Sequence, residues 1–178
     1  MELALFEHPG GVEVKGTDAI VYDLAAGQAL AAPTRVQGDA LRWALLDEAP
    51  ADALLARKID LDPATTWLLR CDRVDFRPGG VAHRHTHPGP GIRCLLFGEI
   101  TIRSEGRVET FGPRQAWFER GPDPVLATTA ADEPSAFVRV MLVPVALAGQ
   151  RTISYVDPAD ADKPKTQKAT IFCEVPVS

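Results

Sequence analysis

Three of the four histidines in this 178-residue chain fall within five positions, as His83, His85 and His87. Imidazole is the commonest protein ligand for Zn, Fe, Ni and Cu. Side chains on a β-strand alternate between faces, so period-two spacing puts all three on one face, with Ala82, Arg84 and Thr86 on the other. Residues i and i+2 lie roughly 6.5–7 Å apart along a strand. Two ring nitrogens at about 2.1 Å from one ion close that gap by converging. Residues i and i+4 are about 13 Å apart, too far for an undistorted strand to bring all three to one ion. One pair is therefore the first candidate for a metal, and the third histidine needs a bulge or another role. The rival reading is a polar, exposed strand on which histidines cluster by chance; a chain with only four histidines makes it the weaker one.

The elements that must position this cluster read as short strands. Fifteen prolines and fourteen glycines punctuate short apolar runs, a pattern of many turns that suits an all-β chain. Ala19–Tyr22, Thr66–Cys71 and Arg73–Phe76 are expected strands, followed by a turn at Arg77–Gly80 and a strand over Val81–His87. Pro88–Gly91 is a turn. Ile92–Phe97, Glu99–Arg103, Arg107–Phe111, Gln115–Phe118, Ala136–Val143 and Ala169–Cys173 complete the set, with a hairpin turn at Ser104–Gly106. Between Gly38 and Arg57 helix and strand compete, and Asp52–Arg57 is the best candidate for a helical turn or two. Close-spaced strands without long helices between them predict a sandwich or barrel and argue against a doubly wound α/β fold.

The stretch Gly79-x5-His85-x-His87-x3-Gly91-x6-Gly98 resembles the first motif of the cupin superfamily: glycine, five residues, H-x-H, three or four residues, glutamate, six residues, glycine. Gly98-Glu99-Ile100 is similar to the family's Gly-Glu-Leu turn, and Phe76 to Gly79 leads into the motif in the same way. The likeness covers Thr65 to Val145. It implies an all-β fold, a single cupin jelly-roll β-barrel with N- and C-terminal extensions. In that division residues 1–60 form an arm and strands joining the barrel, 61–147 the barrel core, and 148–178 a C-terminal extension with a final strand. It also implies one divalent metal ion (Zn, Fe, Ni, Cu or Mn), held by His85 and His87, with His83 as an extra imidazole, and a homodimer.

The chain departs from the family at two of the four usual ligand positions. Gly91 stands at the glutamate position, and Pro124 at the histidine position of the second motif, where Gly121 alone matches and Glu119 stands in place of proline. Three readings stay open. The site binds metal through His85, His87, His83 after a bulge, and water or a carboxylate such as Glu119. Or it is metal-free, with the imidazoles as acid, base or hydrogen-bond donor. Or the barrel is a binding or structural module without turnover. Strand alternation from Gly91 points Arg93, Leu95 and Phe97 into the barrel. There Arg93 either clamps a substrate carboxylate or pairs with a protein carboxylate. Trp117 and Glu119 join Arg93 and Phe97 as candidate ligand-contacting residues.

Composition bounds the rest. Hydrophobic residues make up 46% and charged residues 24%, with a net charge of −5, as in an ordinary globular domain. No cluster of Lys and Arg suits nucleic acid, and no apolar run approaches the roughly 20 residues of a membrane span. Cys71, Cys94 and Cys173 are odd in number and far apart, which reads as three ordinary thiols in a cytoplasmic protein. There is no P-loop, dinucleotide fingerprint or nucleophile elbow. Two functions follow as expectations: a metal-dependent, dioxygenase-like oxidoreductase acting on a small organic acid or aromatic, and a metal-free module that binds or senses a small ligand.

Overall fold

The computed structural model describes residues 1–177. The N-terminal strands are β1 (Glu2–His8), β2 (Val12–Val14), β3 (Ala19–Asp23), β4 (Gln28–Ala31), β5 (Thr34–Val36), β6 (Ala40–Leu46) and β7 (Leu55–Lys58). Then come β8 (Trp67–Phe76), β9 (Val81–Thr86), β10 (Gly91–Phe97), β11 (Ile100–Ser104), β12 (Arg107–Phe111), β13 (Ala116–Glu119), β14 (Val125–Thr129) and β15 (Ser135–Pro144). β16 (Ser154–Tyr155) and β17 (Gln167–Pro176) end the described chain, and two short 3₁₀ turns are its helical elements.

Strands β8 to β15 fill two antiparallel sheets in the orders β13-β10-β15-β8 and β12-β11-β14-β9. That interleaving of eight strands is a jelly roll, so the chain adopts the all-β jelly-roll barrel expected from its sequence. β17 extends the first sheet beside β8, and β16 extends the second beside β9. The hairpin turn is in place: Glu105 and Gly106 have φ of 50° and 78°, as a two-residue type I′ turn requires.

The N-terminal strands do not join the barrel's sheets. They pair with one another in the order β4-β3-β6-β1-β7, and β2 pairs with β5. This sheet stacks on the outer face of the β8–β15–β10 sheet. Leu3, Leu5, Ile20, Tyr22, Leu41 and Trp43 meet Leu69, Cys71, Ile92, Cys94, Val138 and Val140 there. β15 is consequently covered on both faces, which is why Ala136–Val143 is apolar at nearly every position. On β8 the two faces differ. Leu69 and Cys71 face the N-terminal sheet, while Arg70, Asp72, Val74 and Phe76 line the barrel cavity.

The helical turn expected at Asp52–Arg57 is absent. A turn at 51–52 leads into β7, which occupies the free edge of β1. Leu55 and Ala56 gain ladder partners in Leu5 and Ala4 that an isolated helical turn could not supply. β14 has no counterpart among the expected strands, because Pro124 and a run of threonines and alanines conceal it.

Candidate functional site

A cavity of about 300 Å³ occupies the barrel. One end is polar, with Asp72, Arg139, His85, His87 and Glu119. An apolar part is walled by Val74, Phe76, Ala82, Trp117, Val125 and Phe137, and Arg70, Arg151, Lys165 and Gln167 line the cavity as well.

The strand carrying the histidines is bulged. Val125 pairs with His85 and Ala127 with Ala82, so two residues of β14 face three of β9. The extra residue shifts the alternation. Ala82 and His85 both face the cavity, and His83 does not. The common face expected for three histidines therefore does not exist. His83 is half-buried on the outside, with Nδ1 3.9 Å from Asp160 Oδ1. Its contribution to the site is its carbonyl, which accepts a hydrogen bond from His85 Nδ1 at 2.7 Å.

His87 follows β9, and its N–H donates to the Gly121 carbonyl at 2.7 Å. Gly121 has φ of 104°, and a Cβ there would lie 2.4 Å from the Gly89 carbonyl oxygen. Only glycine permits this approach, which docks the His87–Gly91 turn against the end of β13 that carries Glu119. His87 Nδ1 lies 3.1 Å from the Thr152 carbonyl. A carbonyl only accepts, so in both imidazoles Nδ1 bears the proton and Nε2 keeps its lone pair. The two Nε2 atoms face each other at 3.2 Å.

Charged groups surround the pair. Asp72 takes Arg139 Nε at 2.6 Å and Nη2 at 3.1 Å, and Arg139 Nη1 lies 3.2 Å from His87 Nε2. Glu119 Oε1 accepts from Trp117 Nε1 at 2.8 Å. Its Oε2 lies 2.7 Å from Arg93 Nη2 and 3.9 Å from His87 Nε2. Burial, reinforced by the cations Arg139 and Arg93, pushes the His87 pKa well below 6.5, and burial also lowers that of His85. Both imidazoles are thus neutral near pH 7. Burial likewise lowers Arg93 to about 10, against the pull of Glu119.

Of the two roles open to Arg93, the geometry selects the protein carboxylate. Arg93 is fully buried behind Glu119, with Nη1 on the Gly91 carbonyl at 2.6 Å. The pairing register places Glu119 directly across from Gly91. The family's glutamate cannot be restored there, because a Cβ on Gly91 would lie 2.7 Å from Met141 Cβ and 2.8 Å from the Val140 carbonyl. The carboxylate comes instead from the neighbouring strand.

Phe97 does not line the cavity. A bulge between Leu95 and Phe97 in the β10–β15 pairing turns it outward, 40% exposed, beneath the Arg73 guanidinium. Trp117 does line it, stacked on Phe111 and edge-on to Phe137. Sequence reasoning missed Asp72, Arg139, Arg70 and Thr152. Arg70 fixes the segment after β15 to the barrel rim. Its guanidinium donates to the Leu147 and Gln150 carbonyls at 2.6 and 2.8 Å and to Glu174.

Two nitrogens each about 2.1 Å from one ion lie roughly 3.0–3.4 Å apart at square to tetrahedral angles. The 3.2 Å between the Nε2 atoms meets that condition, and the anchored Nδ1–H groups are the outer contacts that metal-binding histidines use. Among the described residues no group of three or more His, Cys, Asp or Glu side chains converges ready to hold an ion. The donors in place are therefore two imidazoles, with Glu119 the third candidate.

No family model matches the chain, and no curated protein matches it in sequence. Among solved structures it is similar to the polyketide cyclase RemF from Streptomyces resistomycificus. That match has 21% identity and a TM-score of 0.40 over 54% of this chain and 64% of the cyclase, less than two thirds of the cyclase's length. A cupin-2 domain protein from Rhodospirillum rubrum matches at 18% identity and TM-score 0.41, over 58% of this chain and 65% of that one. A cupin-like protein from Thermotoga maritima matches at 15% and 0.39, over 61% and 98%. Likenesses this distant carry no argument, and the jelly-roll order of the strands is read from this chain itself.

Proposed function

We propose that the barrel binds a small organic anion with an apolar body, at a centre where His85 and His87 hold one divalent metal ion and Glu119 closes the donor set. The observation that carries this reading is the pair of anchored imidazoles with their Nε2 lone pairs converged at 3.2 Å. The two lone pairs repel at that distance, that of His87 being shared with Arg139 Nη1 alone, and a cation between them removes the repulsion. Of the charged groups at the cavity, Arg139 is paired with Asp72, Arg70 with Glu174 and Glu119 with Arg93, which leaves Arg151 and Lys165 as lining cations outside those pairs. That imbalance favours a negatively charged guest.

When bound, an ion on two histidines and a carboxylate supplies Lewis-acid activation with open coordination positions, the arrangement on which dioxygenase-like chemistry depends. The protein's own part is positioning. The His83 and Thr152 carbonyls hold both imidazoles in the tautomer that offers Nε2. Trp117 and Arg93 fix the two oxygens of Glu119. Asp72 orients Arg139 so that one N–H reaches the polar end of the cavity, where it meets the charged group of the guest. Val74, Phe76, Trp117 and Phe137 exclude water from its apolar part.

A specific observation favours a second reading, a metal-free binding module. Arg139 already donates toward His87 Nε2, and the cations that repel a proton there repel a metal ion too. The test is elemental analysis of the untagged protein after loading with Zn²⁺ and desalting, beside the His85→Ala and His87→Ala variants. Near-stoichiometric zinc in the parent and its loss in both variants is expected. Zinc-free parent protein would overturn the metal centre and leave the metal-free module.

A further inference from the structure

Cys71 and Cys173 are 102 positions apart in the chain, yet β17 pairs with β8 so that they are directly opposed. The opposition depends on a bulge. Ile171 pairs with Asp72 and Cys173 with Cys71, which leaves Phe172 as the extra residue. Without it, Phe172 would face Cys71. Directly opposed residues of an antiparallel pair have Cα atoms about 4.5–5.5 Å apart, inside the roughly 4.4–6.8 Å that a disulfide spans. They also project to the same face of the sheet. Here that face is the core under the N-terminal sheet: Cys71 is buried in it, and half-buried Cys173 packs against it. Cys94 has no such neighbour, since its partners on β13 and β15 are Ala116 and Val138.

We infer that Cys71 and Cys173 are a redox modification site, joined by peroxide into a disulfide that staples β17 to β8. Cys173 is the more accessible thiol and reacts first. Its sulfur attacks one peroxide oxygen, the O–O bond breaks, and a sulfenic acid and one water result. The Cys71 sulfur then attacks the Cys173 sulfur. The S–S bond forms, the S–O bond breaks, and the second water leaves with the remaining thiol proton. Two thiols lose two electrons in all, and one peroxide becomes two waters. Burial raises both thiols, Cys173 to about 11 and Cys71 well above its ordinary value. The thiolate fraction is therefore small and the reaction slow. The staple lies beside the pocket: Arg70 and Asp72 flank Cys71, and Ile171 and Ala169 of the stapled strand line the cavity.

The experiment exposes the full chain to hydrogen peroxide under non-denaturing conditions, with intact-mass, thiol-count and non-reducing peptide analysis. The expected result is a mass lower by two hydrogen atoms, a fall from three free thiols to one, and a single link between the Cys71 and Cys173 peptides. Cys94→Ser gives the same link; Cys71→Ala and Cys173→Ser each abolish it, and Cys173→Ser leaves the buried position intact should Cys71→Ala fold poorly. Three outcomes overturn the inference. They are free Cys71 and Cys173 after an exposure roughly a thousandfold longer than one that fully oxidises a short dithiol peptide, a link that uses Cys94, and accumulation of Cys173 sulfinic acid with Cys71 still free.

Discussion

Asp72→Ala removes the partner of a buried cation. Asp72 is 1% and Arg139 6% exposed, and the two share hydrogen bonds of 2.6 and 3.1 Å. Without Asp72 the Arg139 guanidinium keeps its charge and its burial. No other carboxylate can take it over, because Glu119 is held by Trp117 at 2.8 Å and Arg93 at 2.7 Å. Breaking a buried pair from one side costs about 3–5 kcal/mol. In a chain of this size each kcal/mol lowers Tm by about 2–4 °C, so a fall of roughly 6–20 °C is expected. Urea denaturation followed by circular dichroism gives the free energy, with an unchanged slope confirming that the same surface is exposed. The Asp72→Leu/Arg139→Met double variant supplies the control. It removes both charges and fills the space, so it is expected to lie much closer to the parent. A single variant less than about 1 kcal/mol below the parent, or a double variant as unstable as the single, refutes a stranded charge as the cause.

Acid sensitivity follows from the imidazoles. Both His85 and His87 are lowered in the fold, so below the unfolded value of about 6.5 the unfolded chain takes up protons that the fold refuses. Stability from these groups is fully present above that pH and is lost as pH falls toward the folded values, with a slope up to about 1.4 kcal/mol per pH unit for each histidine. Urea midpoints at pH 7.5 and 5.5 measure it, and the slope flattens in His87→Gln; stability that rises on acidification contradicts the burial. His83→Ala leaves zinc retention unchanged, because its side chain lies outside the cavity; loss of zinc comparable to that of His85→Ala would show that His83 is a ligand.

The barrel was legible because its strands alternate and its turns are marked by Pro and Gly. Two errors share one physical origin. An extra residue in β9 turned His83 outward, and one in β10 did the same to Phe97; a third bulge, in β17, sets Cys173 opposite Cys71. Bulges reverse the parity of every residue beyond them and carry no strong local signature. Arg139 had a signal that went unread. It is the lone charge in the most apolar strand of the chain, on the same face as Phe137, and a charge placed so needs a buried partner. Asp72 lay in a less distinctive run, and its match to Arg139 depends on pairing across 67 residues. Thr152 contributes only a carbonyl, which no side-chain pattern reveals.

That carbonyl sets the order in which the centre can be completed. Every imidazole and guanidinium at its polar end has been synthesised by residue 139, yet His87 finds its Nδ1 acceptor only at Thr152. The rim is tied later still: Arg70 waits for Leu147, Gln150 and finally Glu174. Contacts so distant in sequence form slowly, since a long loop must close before they are rewarded. A nascent chain cut shortly after β15 would hold all eight barrel strands and still have an imidazole free to rotate and exchange tautomers. The barrel strands and the contacts that anchor its polar end thus come from different stretches of the chain, and the segment after β15 supplies the acceptors that hold His87 and Arg70 in place.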